Sequence, residues 1–117
     1  MPSVKQTLGA WGEREAAKFL ERRGFRVVTT NFHTTRGEVD IVAKHGSDFY
    51  FIEVKTRRAG PLATDLAITP FKRRRLEKAA AAYSVRHNIS GEAQYLRSLL
   101  VVYEAASAKV RFRLVEV

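Results

Sequence analysis

Asp40, Glu53 and Lys55 are the residues of this chain whose types and spacing are best suited to chemistry. They lie on two apolar runs, Glu38-Val39-Asp40-Ile41-Val42-Ala43 and Phe49-Tyr50-Phe51-Ile52-Glu53-Val54-Lys55, joined by His45-Gly46-Ser47-Asp48. Two carboxylates held side by side can share a Mg²⁺ ion, which takes oxygen ligands at about 2.0 to 2.1 Å and completes its shell with water and substrate phosphate. An ammonium next to them would meet the negative charge of a phosphodiester.

Convergence of these groups requires a hairpin. Both runs are rich in β-branched and aromatic residues, and the tetrapeptide between them has turn composition, so both read as strands. Alternation puts Glu38, Asp40 and Val42 on one face of the first strand, and Phe49, Phe51, Glu53 and Lys55 on one face of the second. If Lys44 pairs with Phe49 across a four-residue loop, Asp40 stands opposite Glu53 and Glu38 opposite Lys55, with Cβ atoms about 4.5 to 5.5 Å apart. A three-residue loop would flip one strand and separate them. A Glu-x-Lys pair on a strand ordinarily marks a solvated face or a simple ion pair. Here Phe49 and Phe51 precede it on the same face, placing the charges at the end of a buried stripe, where they are costly unless paired or bound to a metal.

The surrounding elements alternate helix and strand. A first helix is expected from about Gly9 to Arg23, ended by Gly24, and a strand from Phe25 to Thr30. A second helix starts near Pro70, with Thr69 as N-cap, and runs to about His87. Gln94 to Tyr103 and Val110 to Val117 read as closing strands, and Thr56 to Ile68 as a long loop. Glu13 falls with Ala16, Ala17 and Leu20 at i, i+3, i+4 and i+7, which sets a carboxylate on the inward stripe of the first helix. Lys72 aligns in the same way with Leu76, Ala79, Ala80 and Tyr83. Trp11 reads as packing rather than a base-stacking platform. His33, His45 and His87 lack metal-ligand spacing, and His45 reads as a turn residue.

The chain has 117 residues, 45% of them hydrophobic, enough for one domain (1–117) with a real core. It carries 21 Lys and Arg against 12 Asp and Glu, a formal charge of +9, which is the signature of a binder of nucleic acid or anionic surfaces. Arg57, Arg58, Lys72, Arg73, Arg74, Arg75 and Lys78 form a candidate track for backbone phosphates. With no cysteine, disulfides and thiolate metal sites are excluded. No signal-peptide pattern or membrane-length apolar run is present, so a cytoplasmic protein with no membrane partner is expected. The alanine-rich second helix lacks the bulky apolar residues of an anionic-membrane binder.

Gly12-Glu13, Ala16-Ala17, Leu20, Gly24-Phe25, Asn31, Gly37-Glu38-Val39-Asp40, Phe51 through Arg57, and Lys72 through Leu76 to Tyr83 together resemble the YraN family of small bacterial proteins. That family is similar to archaeal Holliday junction resolvases and to the PD-(D/E)xK nucleases. The resemblance implies an α/β, restriction-endonuclease-like domain, with a mixed central sheet of about five strands flanked by helices in the order α-β-β-β-α-β-β. It also implies a Mg²⁺- or Mn²⁺-dependent nuclease, with Asp40 and Glu53 as metal-binding acids, Glu13 as a third carboxylate and Lys55 as the motif lysine. DNA, including branched or processed DNA, is expected ahead of RNA, and branch cutting would call for paired sites, as in a homodimer. The chain departs from the family pattern at Arg97-Ser98-Leu99, where an Arg-x-Asp is common. The rival expectation is a non-catalytic nucleic-acid-binding module that keeps the same fold.

Overall fold

The computed structural model describes residues 4–60 and 68–117. Helix α1 spans Val4–Arg22, and the chain leaves it through Gly24, whose φ of 88° is a left-handed conformation that favours glycine. Strands β1 (Arg26–His33), β2 (Glu38–His45) and β3 (Asp48–Arg58) follow, then helix α2 (Pro70–Arg86) and strands β4 (Gln94–Glu104) and β5 (Lys109–Glu116). The order and fold class are those expected. The Thr69 hydroxyl accepts from Lys72 N at 3.2 Å and caps α2, with Pro70 in the first turn, where its missing N–H costs nothing. Three boundaries differ from expectation, the first being the start of α1 at Val4 rather than Gly9. β3 continues to Arg58, shortening the anticipated loop from Thr56, of which 61–67 lies outside the described residues. β1 continues past Thr30 to His33.

The sheet has five strands in the order β1-β2-β3-β4-β5. Its pairs are antiparallel except β3 with β4, which run parallel with α2 in the connection between them. The β2–β3 hairpin has the expected Lys44–Phe49 pairing. His45 and Asp48 also pair, leaving Gly46-Ser47 as a two-residue turn with Gly46 at φ 62°.

Strict alternation fails at Asp40. Val39 and Val42 pack in the cluster under α2, with Phe32, Phe51, Leu76 and Tyr83. Ile41 and Ala43 pack in the cluster under α1, with Ala16, Leu20, Ile52 and Leu99. Residues 39 and 41 should share a face, so the pleat reverses between them. Asn31, flanked by the paired residues Thr30–Ile41 and Phe32–Val39, takes the left-handed φ of 53°. This double irregularity breaks the strict alternation expected along β2. The β2–β3 ladder also ends at Ile41–Ile52, one row short of the expected Asp40–Glu53 pairing and three short of Glu38–Lys55, so neither expected pair forms.

Each helix is drawn against the sheet by a glycine contact. A Cβ on Gly12 would lie 1.8 Å from Thr56 Oγ1, and one on Gly37 would lie 1.9 Å from the Arg75 carbonyl oxygen. Gly12 thereby lets α1 approach β3, and the next residue, Glu13, comes to Asn31 of β1 and the acids of β2. Gly37 seats the turn between β1 and β2 directly on the α2 backbone.

Candidate active site

Where β2 and β3 separate, Glu38, Asp40 and Glu53 meet Lys72, Arg75 and Leu76 of α2 around a cavity of about 90 Å³. The separation has a specific cause. Val54 N–H, next in line for a β2 carbonyl, donates instead to Asp40 Oδ2 at 2.7 Å. The Asp40 carboxylate therefore replaces the strand backbone as acceptor, and the site opens at the point where the ladder stops. Glu53 Oε1 lies 3.7 Å from Lys72 Nζ, while Glu53 Oε2 is buried with no hydrogen-bond partner. The inward orientation expected of Lys72 is thus met, and Leu76, Ala79, Ala80 and Tyr83 on its stripe are all buried.

The electrostatics are those of acids held together under strain. Burial, the largest effect, pushes the Asp40 carboxyl up from 3.8 to about 6; the Val54 N–H opposes it, and the charges of Glu13, Glu53 and Glu38 reinforce it. Glu13 is also raised, first by burial and further by Glu38, against a hydrogen bond from the Asn31 side chain and the proximity of His33. The helix carboxylate thus reaches the field of the sheet carboxylates, as its helical phase suggested. Asn31 links the two, since its left-handed backbone accompanies the pleat reversal and its side chain holds Glu13. Lys55 is 6% exposed on the same strand face as Glu53.

Among the described residues, no three His, Asp or Glu side chains are already grouped as ligands for a metal ion. Asp40 Oδ2 is engaged by Val54, and Glu53 Oε1 by Lys72. The donors nevertheless suit a hard divalent cation: all are carboxylate oxygens, one is buried without a partner, and Asp40 is disfavoured as an anion where it stands.

The remaining candidates are dispersed. Arg57 and Arg58 are exposed at the end of β3, and Arg57 Nη1 donates to the Thr56 carbonyl at 2.9 Å. Arg73 is tied to Glu77 at 2.9 Å on the outer face of α2, and Arg74 is exposed beside it. Arg75 reaches the acidic cavity, whereas Lys78 lines a different one. His33 Nδ1 lies 3.4 Å from Glu38 Oε2, His45 packs on Phe25, and Trp11 sets its ring edge-on to Tyr103. Leu99, where the resemblance would allow an acid, is wholly buried in the α1-side core. Sequence reading gave no role to Ser98. It stands in register with Glu53 on the neighbouring strand, and its hydroxyl is likewise buried without a hydrogen-bond partner.

Comparison with known proteins identifies relatives of this chain. The chain is 51% identical over 80 residues to a UPF0102 protein of Geobacter sulfurreducens, a match covering 68% of this chain and 62% of that protein. It is 42% identical over 90 residues to one from Roseiflexus castenholzii, covering 76% and 73%. Among solved structures it is similar to Archaeoglobus fulgidus Hjc, a Holliday junction resolvase, with 21% identity, a TM-score of 0.45, and coverage of 90% of this chain and 75% of that one. The family model that matches residues 12–117 takes in Glu13, Asp40, Glu53 and Lys55 alike, and by that match the chain belongs to the uncharacterised protein family UPF0102, the YraN family its motifs resemble.

Proposed function

We propose that this chain is a single-domain, metal-dependent nuclease that hydrolyses phosphodiester bonds of nucleic acid, with DNA ahead of RNA. The observation that carries the reading is the pinned Asp40 beside the partnerless buried oxygen of Glu53. The fold spends stability to keep acids together there, which is characteristic of functional sites. Asp40 and Glu53, joined by Glu13, would hold Mg²⁺ or Mn²⁺, which when bound lowers the pKa of an attacking water and offsets charge on the leaving oxygen. Val54 N–H fixes the Asp40 carboxylate so that it need not reorganise during the reaction. Lys55, rooted on the same face as Glu53, orients the water or neutralises the charge gathering on the phosphoryl oxygens. Lys72 and Arg75 draw the substrate backbone to the cavity mouth, and Arg57, Arg58, Arg73, Arg74 and Lys78 extend the positive surface.

The test is a panel of labelled single-stranded, duplex, flap and four-way DNA and RNA substrates incubated with Mg²⁺ or Mn²⁺. Wild type should cut at least one substrate, and Asp40→Asn and Lys55→Ala should abolish the cutting while largely retaining binding. Equal cleavage by wild type and Asp40→Asn would refute the assignment. The second reading, a non-catalytic binding module, is favoured by the absence of a grouped ligand set among the described residues. Calorimetric titration with Mn²⁺ separates the two, because binding that depends on Asp40 and Glu53 is required by the first reading and not by the second.

A further inference from the structure

A second cavity, of about 320 Å³, opens on the other side of Gly37, lined by Thr34, Thr35, Arg36, Lys78, Ala81 and Ala82. Its walls are firmly built. Thr34 N donates to the Gly37 carbonyl at 2.8 Å, and the Thr34 hydroxyl accepts from Arg36 N at 3.1 Å and Gly37 N at 3.0 Å. The turn is thus tied to itself, and Gly37 rests on the backbone of α2 at Arg75. Two small residues, Ala81 and Ala82, leave room along the helix, while Arg36 and Lys78 bring positive charge to the rim.

Neither cation is compensated. Among the described residues, Arg36 and Lys78 form no ion pair, and Glu77 on α2 is engaged by Arg73. A guanidinium, an ammonium and the Thr35 hydroxyl around an uncompensated hollow suit an anion with several oxygens, and a guanidinium fork matches phosphate particularly well. The position narrows the choice further. Lys72 and Arg75 line the acidic cavity and Lys78 lines this one, with Lys72 and Lys78 about 9 Å apart along the helix. On the turn, Arg36 and Glu38 fall on either side of Gly37. A strand crossing the saddle at Gly37 would set one phosphate in this cavity and a nearby phosphate against the acids.

We infer that the Thr35–Arg36–Lys78 cavity is a phosphodiester subsite that fixes where a nucleic-acid strand lies relative to the acidic site. This rests on the reading of the chain as a nucleic-acid enzyme. The test measures binding of a labelled duplex and a labelled single strand by fluorescence anisotropy over a salt series. Arg36→Ala/Lys78→Ala should make the slope of log K against log salt shallower by about 0.9 on the duplex and about 0.7 on the single strand, the loss of one phosphate contact. Arg36→Lys should retain most of the slope. Arg23→Ala/Arg26→Ala, at the opposite end of β1 from the turn, should leave it unchanged. An unaltered slope in the first double variant, or an equal loss in the Arg23/Arg26 control, overturns the subsite.

Cleavage assays on the same preparations separate this inference from the reading beneath it. Metal-dependent cutting with no change of slope overturns the subsite and leaves the nuclease. A changed slope without cutting by wild type overturns the nuclease and leaves the subsite. Wild type that does not bind nucleic acid overturns both.

Discussion

Replacing Asp40 with Asn should stabilise the metal-free protein at neutral pH while abolishing metal-dependent cleavage. Asn retains an oxygen for the Val54 N–H, so the contact that holds β2 to β3 survives, while the buried charge and its repulsion from Glu13, Glu53 and Glu38 are removed. The Asp40 carboxyl is raised from 3.8 to about 6, and at 1.36 kcal/mol per unit the charged form costs the fold about 3 kcal/mol. The folded state holds this proton more tightly than the unfolded chain. The corresponding stability is therefore fully present below pH 3.8 and is lost as pH rises through about 6. Wild type should lose stability relative to Asp40→Asn across that window, with a gap at pH 8 approaching 3 kcal/mol, or roughly 10 °C in Tm for a chain of this size. Urea denaturation followed by Trp11 fluorescence, at pH 4, 6 and 8 in chelator, measures it. Equal stability at pH 8, or a gap that narrows as pH rises, would show that Asp40 is not held as a disfavoured anion. In that case the case for a cation at this site would lose its electrostatic basis.

Two glycine substitutions test the contacts that assemble the site. Gly37→Ala drives a methyl group into the Arg75 carbonyl oxygen, which no side-chain rotation can relieve, so a loss of at least about 2 kcal/mol is expected in urea denaturation. Unchanged stability would mean the turn can lift from α2. Gly12→Ala meets the Thr56 side chain instead, and a loss of about 1 to 2 kcal/mol is expected. Adding Thr56→Ala should recover part of that loss in a double-mutant cycle, whereas strict additivity would show that the two residues do not oppose each other.

How much of this was legible in the sequence depends on how local its cause is. The Lys44–Phe49 register follows from two alternating runs and a turn between them, and the start of α2 from Thr69-Pro70. Glu13 and Lys72 were placed by helical phase, which reports direction reliably when the rest of the stripe is apolar. The setting of Asp40 was not legible, because it depends on a pleat reversal shared with another strand. Asn31 was the available signal, since Asn tolerates left-handed backbone. In sequence the same residue favours ending a strand, whereas β1 runs through it to His33. The early start of α1 was hidden likewise, because Gly9 and Gly12 oppose helix locally while Gly12 is needed for the approach to Thr56. Arg36 gave no signal at all: one arginine in a turn acquires a cavity when Gly37 seats the turn on α2.

Among the described residues, no strand pairs with the outer edges of β1 and β5, and such edges invite pairing with another chain. β1 has a register shift between Val27 and Thr29, which interrupts the regular row of donors and acceptors a docking strand would need. β5 carries Lys109, Arg111 and Arg113, all exposed, so two copies meeting along that edge would bring cations against cations. The positive excess thus serves colloidal stability. Concentrated salt weakens the repulsion that keeps these edges apart, so washing the protein in high salt favours strand-to-strand association.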